Sequence, residues 1–395
     1  MILISIDGFA HYYLDKFKPQ NILAFAKQGT SIELEPVYPS KTFPNHLSII
    51  TGAYPSNHGI VHNKFLNPDI NEIYTLGAGR NNSEWITSAP IWTIAEQQGI
   101  KAAIYFWPES EVKFDGVLPT YNKPYNKATG NKVRFDQMID WLKLPKEKRP
   151  GLIVGYFSLV DTAGHKYKLE SKELAQSITE IDTLFGQFLT RLKDEIPLDV
   201  NLVLVSDHGM TATGLEHGIE ITSVVGKPIF QEKGVTVVNG QTQLYIYFDQ
   251  NIISKSKQAL IINTLKKTQQ GKNSFYNVYL KGHYPDHWHF NHDISIIPNI
   301  IVEALPPTIF IDENSSPLAG THGYDAKNND DLMTIFIAAG VNINKDKKIS
   351  SFENIHIFPF LSRLLGLKEK TTIDGDFSVL SRVFKSSISK DKVEK

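Results

Sequence analysis

Four short apolar runs rich in β-branched residues set the strongest limit on how this chain can fold. They occupy residues 2–6, 152–159, 201–205 and 333–339, and each is followed by polar residues. Because they lack an apolar/polar alternation, both faces of each strand should be covered, as in a largely parallel sheet. In residues 173–192, apolar residues three and four apart predict a helix that faces the core. An α/β fold with a mostly parallel central sheet flanked by helices is therefore expected.

A second pattern occupies residues 235–319 and interrupts the first. It predicts strands at 243–248, 275–280 and 293–300 and a helix at 255–267. Since the earlier pattern resumes only at Met333, we expect a small inserted α+β subdomain. The predicted organisation is a main domain of residues 1–234 and 320–384, an insertion of residues 235–319, and a Ser/Lys-rich tail at 385–395 that should fray.

Composition excludes several classes of function. The 395 residues include 41 Lys and Arg against 42 Asp and Glu, and a formal net charge of -1 gives no global attraction to nucleic acid or to an anionic membrane. The absence of cysteine excludes a thiolate nucleophile and Cys-bound metals, so any metal needs carboxylates and some of the 13 histidines. No signal peptide is recognisable, and no apolar run reaches the roughly 18 residues needed to span a bilayer.

Acidic residues follow three of the four predicted strands. Asp7 follows the first, Asp161 the second, and Asp207 with His208 the third. Open α/β sheets bind ligands at the carboxyl ends of their strands, so these side chains can converge on one site. Taken alone, an acid before glycine, as at Asp7, is more typical of a turn. The recurrence of acids at three strand ends favours a shared site.

The spacing within these groups suits metal binding. Asp161 and His165 are four residues apart, so on a helix both side chains lie on one face and can share a zinc ion at about 2 Å. Asp207 and His208 would diverge on a regular strand, but Gly209 allows the chain to bend so that both reach one ion. The alternative is a helix N-cap at Asp161 and an ordinary core histidine at position 165.

Five motifs in a fixed order resemble the nucleotide pyrophosphatase/phosphodiesterase branch of the alkaline phosphatase superfamily. They are Lys-Thr-Phe-Pro-Asn at 41–45, Tyr-Pro-x-x-His-Gly-Ile-Val-x-Asn at 54–63, Asp-x-x-Gly-His at 161–165, Asp-His-Gly-Met at 207–210 and Gly-x-His-Gly-Tyr at 320–324. The resemblance extends to about residue 365 and implies an alkaline-phosphatase-like core. It departs at Val160, where the family usually has proline, and this should affect the turn more than the chemistry.

The resemblance implies two zinc ions, one held by Asp161, His165 and His322 and the other by Asp7, Thr42, Asp207 and His208. Thr42 would be the nucleophile, because coordination to zinc should lower the pKa of an alcohol as it lowers that of water. A phosphothreonyl intermediate and net retention at phosphorus follow. Without the motif, Thr42 would be interpreted as a helix N-cap.

The resemblance also implies the substrate-binding residues. Asn63, with the backbone N–H group of the nucleophile, would donate to a non-bridging phosphoryl oxygen. Phe43 and Tyr125 would stack on the two faces of a nucleobase, and Trp107 and Tyr156 would line the pocket. The alternatives are a turn residue for Asn63 and core packing for the rings. Because Asn63 is neutral, a diester is favoured over a monoester dianion.

The expected function is a two-zinc phosphodiesterase or nucleotide pyrophosphatase that releases 5'-nucleotides. The alternative is a choline or lysophospholipid phosphodiesterase on the same metals, whereas a non-catalytic protein of this fold would lack the nucleophile or a ligand. The expected partner is a small nucleotide or other phosphodiester, not duplex nucleic acid, and the sequence does not determine the oligomeric state. The resemblance favours a periplasmic or extracellular location over a cytoplasmic one.

Overall fold

A computed structural model describes residues 1–269, 275–313, 315–368 and 372–386, so most of the predicted tail lies outside the described residues. The strands are β1 (Ile2–Ile6), β2 (Thr30–Glu35), β3 (Phe65–Asn67), β4 (Glu72–Tyr74), β5 (Ala102–Tyr105), β6 (Tyr121–Lys123), β7 (Leu152–Phe157), β8 (Leu202–Val205), β9 (Thr211–Ala212), β10 (Gly218–Glu220), β11 (Val235–Asn239), β12 (Gln243–Phe248), β13 (Tyr276–Leu280), β14 (Ile300–Ala304), β15 (Ile309–Ile311), β16 (Gly320–Thr321), β17 (Thr334–Ala339) and β18 (Phe352–Glu353).

The α-helices are α1 (Tyr13–Phe17), α2 (Gln20–Ala26), α3 (Thr42–Thr51), α4 (Pro55–His58), α5 (Ile91–Gln97), α6 (Asn131–Leu142), α7 (Leu159–Lys166), α8 (Lys172–Glu195), α9 (Ile221–Val225), α10 (Lys227–Phe230), α11 (Lys255–Gln269) and α12 (Ile357–Leu365). Short 3-10 helices lie at Ala78–Asn81, Ser83–Trp85, Leu215–His217, Asp286–Trp288, Ala326–Asn328, Asp330–Leu332, Asn354–His356 and Phe377–Leu380. Among the described residues, none of the helices combines the length and the apolarity that crossing a membrane requires.

A mostly parallel sheet forms the centre of the molecule. In the described part of the chain it has eight strands in the order β18-β2-β17-β8-β1-β7-β5-β6. Strand β1 pairs in parallel with β7 and β8, and β5 pairs in parallel with β6 and β7. Strand β17 runs antiparallel to both of its neighbours, β2 and β8. The predicted fold class is therefore confirmed, with one of the four predicted strands reversed in direction.

Helix α8 shows how the sequence builds the helical layer. Its apolar residues Ile178, Ile181 and Phe185 recur at helical spacing and are buried. The hydroxyl of Ser171 accepts the N–H of Leu174 at 3.1 Å and caps the first turn. The helix packs against α2, α6 and α7. The predicted core-facing helix is confirmed.

The boundary between β7 and α7 differs from the prediction. The strand ends at Phe157 and the helix begins at Leu159, whereas the apolar pattern predicted a strand through residue 159. Short apolar runs are ambiguous between strand and helix, and here the first helical residues continue the run. The consequence is that Asp161 lies in the first turn of a helix, not after a strand.

Strands β11, β12, β14 and β13 form a second sheet, which is antiparallel. Helix α11 contacts β13, and residues such as Leu244, Ile246 and Val302 belong to a second hydrophobic core. The predicted strand at 293–300 is wrong, because the strand begins only at Ile300. Pro298 lies inside the predicted run and lacks the N–H group that a central strand would need.

Candidate metal centre and active site

The ends of β8, β1 and β7, which are neighbours in the central sheet, bring Asp207, Asp7 and Asp161 together. The chain turns sharply after Asp7, where Gly8 has a φ of +69°. A Cβ atom at Gly8 would lie 2.8 Å from the Cα atom of Asp161. Glycine is needed here both for the backbone conformation and for the close approach of the end of β1 to the first turn of α7.

The acids and histidines form two clusters, Asp161 with His165 and His322, and Asp7 with Asp207 and His208. Within each cluster the candidate ligand atoms lie within 4.8 Å of one another. Asp161 Oδ1 is 3.2 Å from Nε2 of His165, one helical turn away, and 3.8 Å from Nε2 of His322. His208 Nε2 is 3.0 Å from Asp207 Oδ2 and 3.4 Å from Asp7 Oδ1.

Each histidine of the two clusters directs Nε2 towards the acids because its Nδ1 atom is used elsewhere. The Nδ1 atoms of His165, His208 and His322 lie 2.9, 2.9 and 2.8 Å from the backbone carbonyl oxygens of Gly320, Gly209 and Ser40. A carbonyl can only accept, so in the neutral ring Nδ1 carries the proton and Nε2 keeps its lone pair. This is the tautomer of a metal-binding histidine with an orienting partner.

The carboxylate oxygens of the two clusters show whether a cation fits between them. Among the described residues, Asp7 Oδ1, Asp161 Oδ1 and Asp207 Oδ2 are buried without a hydrogen-bond partner. Burial, followed by the negative charges of Asp207 and Asp161, raises the pKa of Asp7 well above its usual range. Buried carboxylates repel one another and also repel the imidazole lone pairs that face them, unless a cation lies between these groups. This donor set of carboxylate oxygens and imidazole nitrogens fits divalent zinc.

Thr42 begins helix α3 beside the second cluster. Its Oγ1 atom lies 3.2 Å from Nε2 of His208. The N-cap is Lys41, so Thr42 is the first residue of the helix, where backbone N–H groups lack partners within the helix. The side chain of Asn63 is oriented nearby, because its Oδ1 atom accepts the N–H of Phe43 at 2.9 Å. That contact leaves the NH2 group of Asn63 available as a donor.

A cavity of about 840 Å³ opens over both clusters. Its lining includes all the predicted substrate-binding residues, which are Phe43, Asn63, Trp107, Tyr125 and Tyr156. Tyr125 is 47% exposed, and its ring packs against Phe106 at 5.2 Å between centroids. The ring of Phe43 lies 6.3 Å from that of Tyr74. The cavity is wide enough for a ligand that spans the clusters and these rings.

Two of the predicted pocket rings also contact the surroundings of the metal clusters. The hydroxyl of Tyr156 donates to Asp7 Oδ2, and Nε1 of Trp107 donates to the backbone oxygen of His46 at 3.2 Å. His46 in turn lies 3.3 Å from Oδ2 of Asp207. Sequence reasoning gave these rings either to the base pocket or to the core, since nothing in their local pattern signals a contact with residues far away in the chain.

Lys41 is a buried cation that sequence reasoning did not identify. Its Nζ atom donates to the carbonyl oxygen of His322 at 2.8 Å. Burial lowers the pKa of Lys41 to about 7, although the negative charges of Glu303 and Asp161 act to raise it. The side chain ties the start of helix α3 to the loop of His322. Its position directly before Thr42 in the motif is the signal that could have identified it.

The central sheet and its flanking helices fit the alkaline phosphatase superfamily. The model of a narrower family, type I phosphodiesterases/nucleotide pyrophosphatases, matches residues 1–325. A pyrophosphatase/phosphodiesterase of Schizosaccharomyces pombe is 32% identical over 386 residues, which cover 93% of this chain and 77% of that protein. The chain therefore belongs to the type I phosphodiesterase/nucleotide pyrophosphatase family.

Two further relatives are much longer than this chain, whereas a solved structure matches its whole length. Venom phosphodiesterase of Naja atra is 34% identical over 378 residues, which cover 93% of this chain and 44% of the venom protein. Ectonucleotide pyrophosphatase/phosphodiesterase family member 1 of Mus musculus is 31% identical over 390 residues, which cover 93% of this chain and 40% of the mouse protein. Human ectonucleotide pyrophosphatase/phosphodiesterase 5 superposes with a TM-score of 0.87 at 26% identity, over 98% of this chain and 100% of that structure. The chain spans less than half of the venom and mouse proteins.

Proposed function

We propose that this chain is a two-zinc phosphodiesterase and nucleotide pyrophosphatase that hydrolyses nucleotide phosphodiester and pyrophosphate bonds to 5'-nucleotides. The observation that supports it best is the position of Thr42, whose Oγ1 lies 3.2 Å from His208 at the base of a cavity lined by residues of both acid–histidine clusters. The catalytic unit would be residues 1–234 with 320–384, and residues 235–319 would be an insertion into it.

The metal ligands follow from the two clusters. Asp161, His165 and His322 would hold one zinc ion, and Asp7, Thr42, Asp207 and His208 would hold the other. When bound, zinc supplies a Lewis acid that polarises phosphoryl oxygens and lowers the pKa of a hydroxyl group. The buried oxygens of Asp7, Asp161 and Asp207, which otherwise lack partners among the described residues, support this assignment.

Thr42 is the nucleophile in this proposal. Its Oγ1 atom forms a bond to phosphorus while the bond from phosphorus to the leaving oxygen breaks, which gives a phosphothreonyl ester. Water then attacks phosphorus and breaks the bond to Oγ1, so Thr42 is regenerated. Two in-line displacements give net retention. The NH2 group of Asn63 and the backbone N–H of Thr42 donate to a non-bridging oxygen as charge develops on it.

The rings of the cavity bind the nucleoside. Phe43 and Tyr125 would stack on the base, and Trp107 and Tyr156 would close the pocket behind it. Stacking is worth roughly 1–3 kcal/mol per base and tolerates any base, so a broad base preference is expected. Arg80, also at the cavity wall, lies 3.3 Å from Glu111, which offsets its charge. That pairing is consistent with diesters rather than doubly charged monoesters.

The names of the relatives bear on location and on the alternative substrate. The mouse and human relatives are described as ectonucleotide enzymes and the Naja atra protein as a venom enzyme. We therefore propose a periplasmic or extracellular location for this chain. The same descriptions favour nucleotide substrates over choline or lysophospholipid esters.

One side-by-side assay tests the function. The zinc-supplemented protein is given p-nitrophenyl thymidine 5'-phosphate, p-nitrophenyl phosphorylcholine and p-nitrophenyl phosphate. The nucleotide ester should show a kcat/KM at least about a hundredfold above the other two, which corresponds to about 2.7 kcal/mol of preferential transition-state binding. Preference for the choline ester would replace the nucleotide assignment with the lipid-type one, and preference for the monoester would refute a diesterase.

A further inference from the structure

Gln243, the first residue of β12, lies fully buried between two segments of the candidate active site. Its Nε2 atom donates to the carbonyl oxygen of Gly323 at 2.6 Å and to Oε2 of Glu303 at 2.9 Å. Its Oε1 atom lies 3.1 Å from Nε2 of His62 and accepts the hydroxyl of Thr242 at 2.8 Å. Every donor and acceptor of the amide is therefore used.

Only one orientation of this amide satisfies its neighbours. Burial lowers the pKa of His62 to about 3, so the ring is neutral. Nδ1 of His62 accepts the N–H of Lys64 at 3.1 Å, which means that Nε2 carries the proton and donates to Gln243. On the other side, the oxygens of Gly323 and Glu303 need donors. A flipped amide would lose the contacts on both sides.

Two of the four partners of the amide are sequence neighbours of proposed site residues. His62 directly precedes Asn63, and Gly323 directly follows His322. Gly323 has a φ of +118°, and a Cβ atom there would lie 2.4 Å from the hydroxyl of Thr242. This position therefore requires glycine, which lets the loop approach β12 closely enough for the hydrogen bond to form.

We propose that Gln243 is a positioning residue that sets the separation of Asn63 and His322 in the active site, an inference that rests on the proposed phosphodiesterase function. The side chain of Gln243 holds two parts of the site in place. One is the segment of Asn63, the proposed hydrogen-bond donor to a phosphoryl oxygen, and the other is the loop of His322, a proposed metal ligand. Hydrogen bonds that orient the groups around a metal ion change metal affinity or activity by about 10- to 100-fold when they are lost.

The test replaces Gln243 with a side chain of equal length that cannot hydrogen-bond in this way. Gln243→Met should lower kcat on the nucleotide ester by about 10- to 100-fold with KM changed less than about threefold, because the misplaced groups act in the transition state. Competition with a chelator should show one of two zinc ions bound about tenfold more weakly. Ile246→Ala, fully buried in the same strand and in the second core, is the matched control for stability loss.

A second variant decides the matter if Gln243→Met does not fold. Gln243→Glu keeps the length and the acceptor for His62 but has at most one proton to donate where Gln243 donates to both Gly323 and Glu303, so losses of kcat and zinc affinity in the same direction are expected. Wild-type kcat and zinc affinity in the folded variants would overturn the proposal, as would equal losses in Ile246→Ala. An inactive wild-type protein would instead contradict the proposed function, and the zinc titration would still test Gln243.

Discussion

Two groups of buried polar side chains, one at the ends of β1 and β8 and one at the start of β12, differ in how they are paired, although Oε1 of Glu303 in β14 also lacks a partner among the described residues. At the ends of β1 and β8, Asp7 and Asp207 each keep a buried oxygen without a hydrogen-bond partner among the described residues. At the start of β12, Gln243 has a partner for each of its donors and acceptors. The first arrangement is costly unless something binds there, whereas the second is stable by itself.

The difference separates reacting groups from supporting groups. Several buried carboxylate oxygens without partners, gathered in one place, mark a position where a cation completes the structure, while a fully paired side chain such as Gln243 fixes the positions of backbone segments. On this view the central sheet supplies the chemistry of the proposed enzyme and the second sheet supplies part of its geometry. Each of the following experiments is a way to break or to sharpen that distinction.

Removal of the metals should have the largest effect. After dialysis against a chelator, activity on the nucleotide ester should become undetectable and the melting temperature should fall by several degrees, because the clustered acids lose the cations that offset their repulsion. Zinc return should restore both properties, and buffer dialysis without chelator is the control. Full turnover in protein shown to be metal-free would refute the two-zinc proposal.

Loss of the nucleophile should come next. Thr42→Ala should lower kcat by roughly 10³-fold or more, with the fold and most zinc binding retained, because no phosphothreonyl ester can form. Thr42→Ser keeps a hydroxyl and should retain part of the activity. Trapped phosphoprotein in the wild type, absent from the alanine variant, would give direct support. An alanine variant with more than a small fraction of wild-type rate would exclude Thr42 as nucleophile.

Loss of a stacking ring should have a weaker effect on activity, and that effect should lie mainly in KM. Tyr125→Ala should raise KM for the nucleotide ester by about tenfold, or roughly 1.4 kcal/mol, with a smaller change in kcat, because stacking acts in the ground and transition states alike. A small phosphodiester without a base serves as the control substrate and should barely respond. Equal losses on both substrates would show that Tyr125 supports the fold or the metal centre.

Two core substitutions, one in each sheet, should change activity least relative to the wild type. Ile4 in β1 and Ile246 in β12 are both fully buried and lie three residues from Asp7 and Gln243, respectively. Each change to alanine should lower the free energy of unfolding by about 2–5 kcal/mol in a denaturant titration. In the folded proteins, Ile4→Ala should lower kcat by a few fold and Ile246→Ala by less than twofold. The reverse ranking would contradict the division of roles between the sheets.

Much of the candidate site could be predicted because its signals are local. The spacing of Asp161 and His165 encodes one helical turn, and the observed helix α7 does place the two side chains 3.2 Å apart. The β-branched run before Asp7 encodes a buried strand. The end of β7 before Leu159 and the absence of a strand at residues 293–299 could not be predicted, since a short apolar run specifies burial more strongly than it specifies helix or strand.

The sequence by itself determined the element types, the acids at the strand ends and the motifs that place the chain in its family. Only the tertiary structure decided that Tyr156 donates to Asp7 and that Gln243 bridges two segments of the site. The physical reason is range. Periodicity reports how a residue meets its neighbours within a few positions. These contacts join groups 80 to 181 residues apart, and strand order and loop paths bring them together.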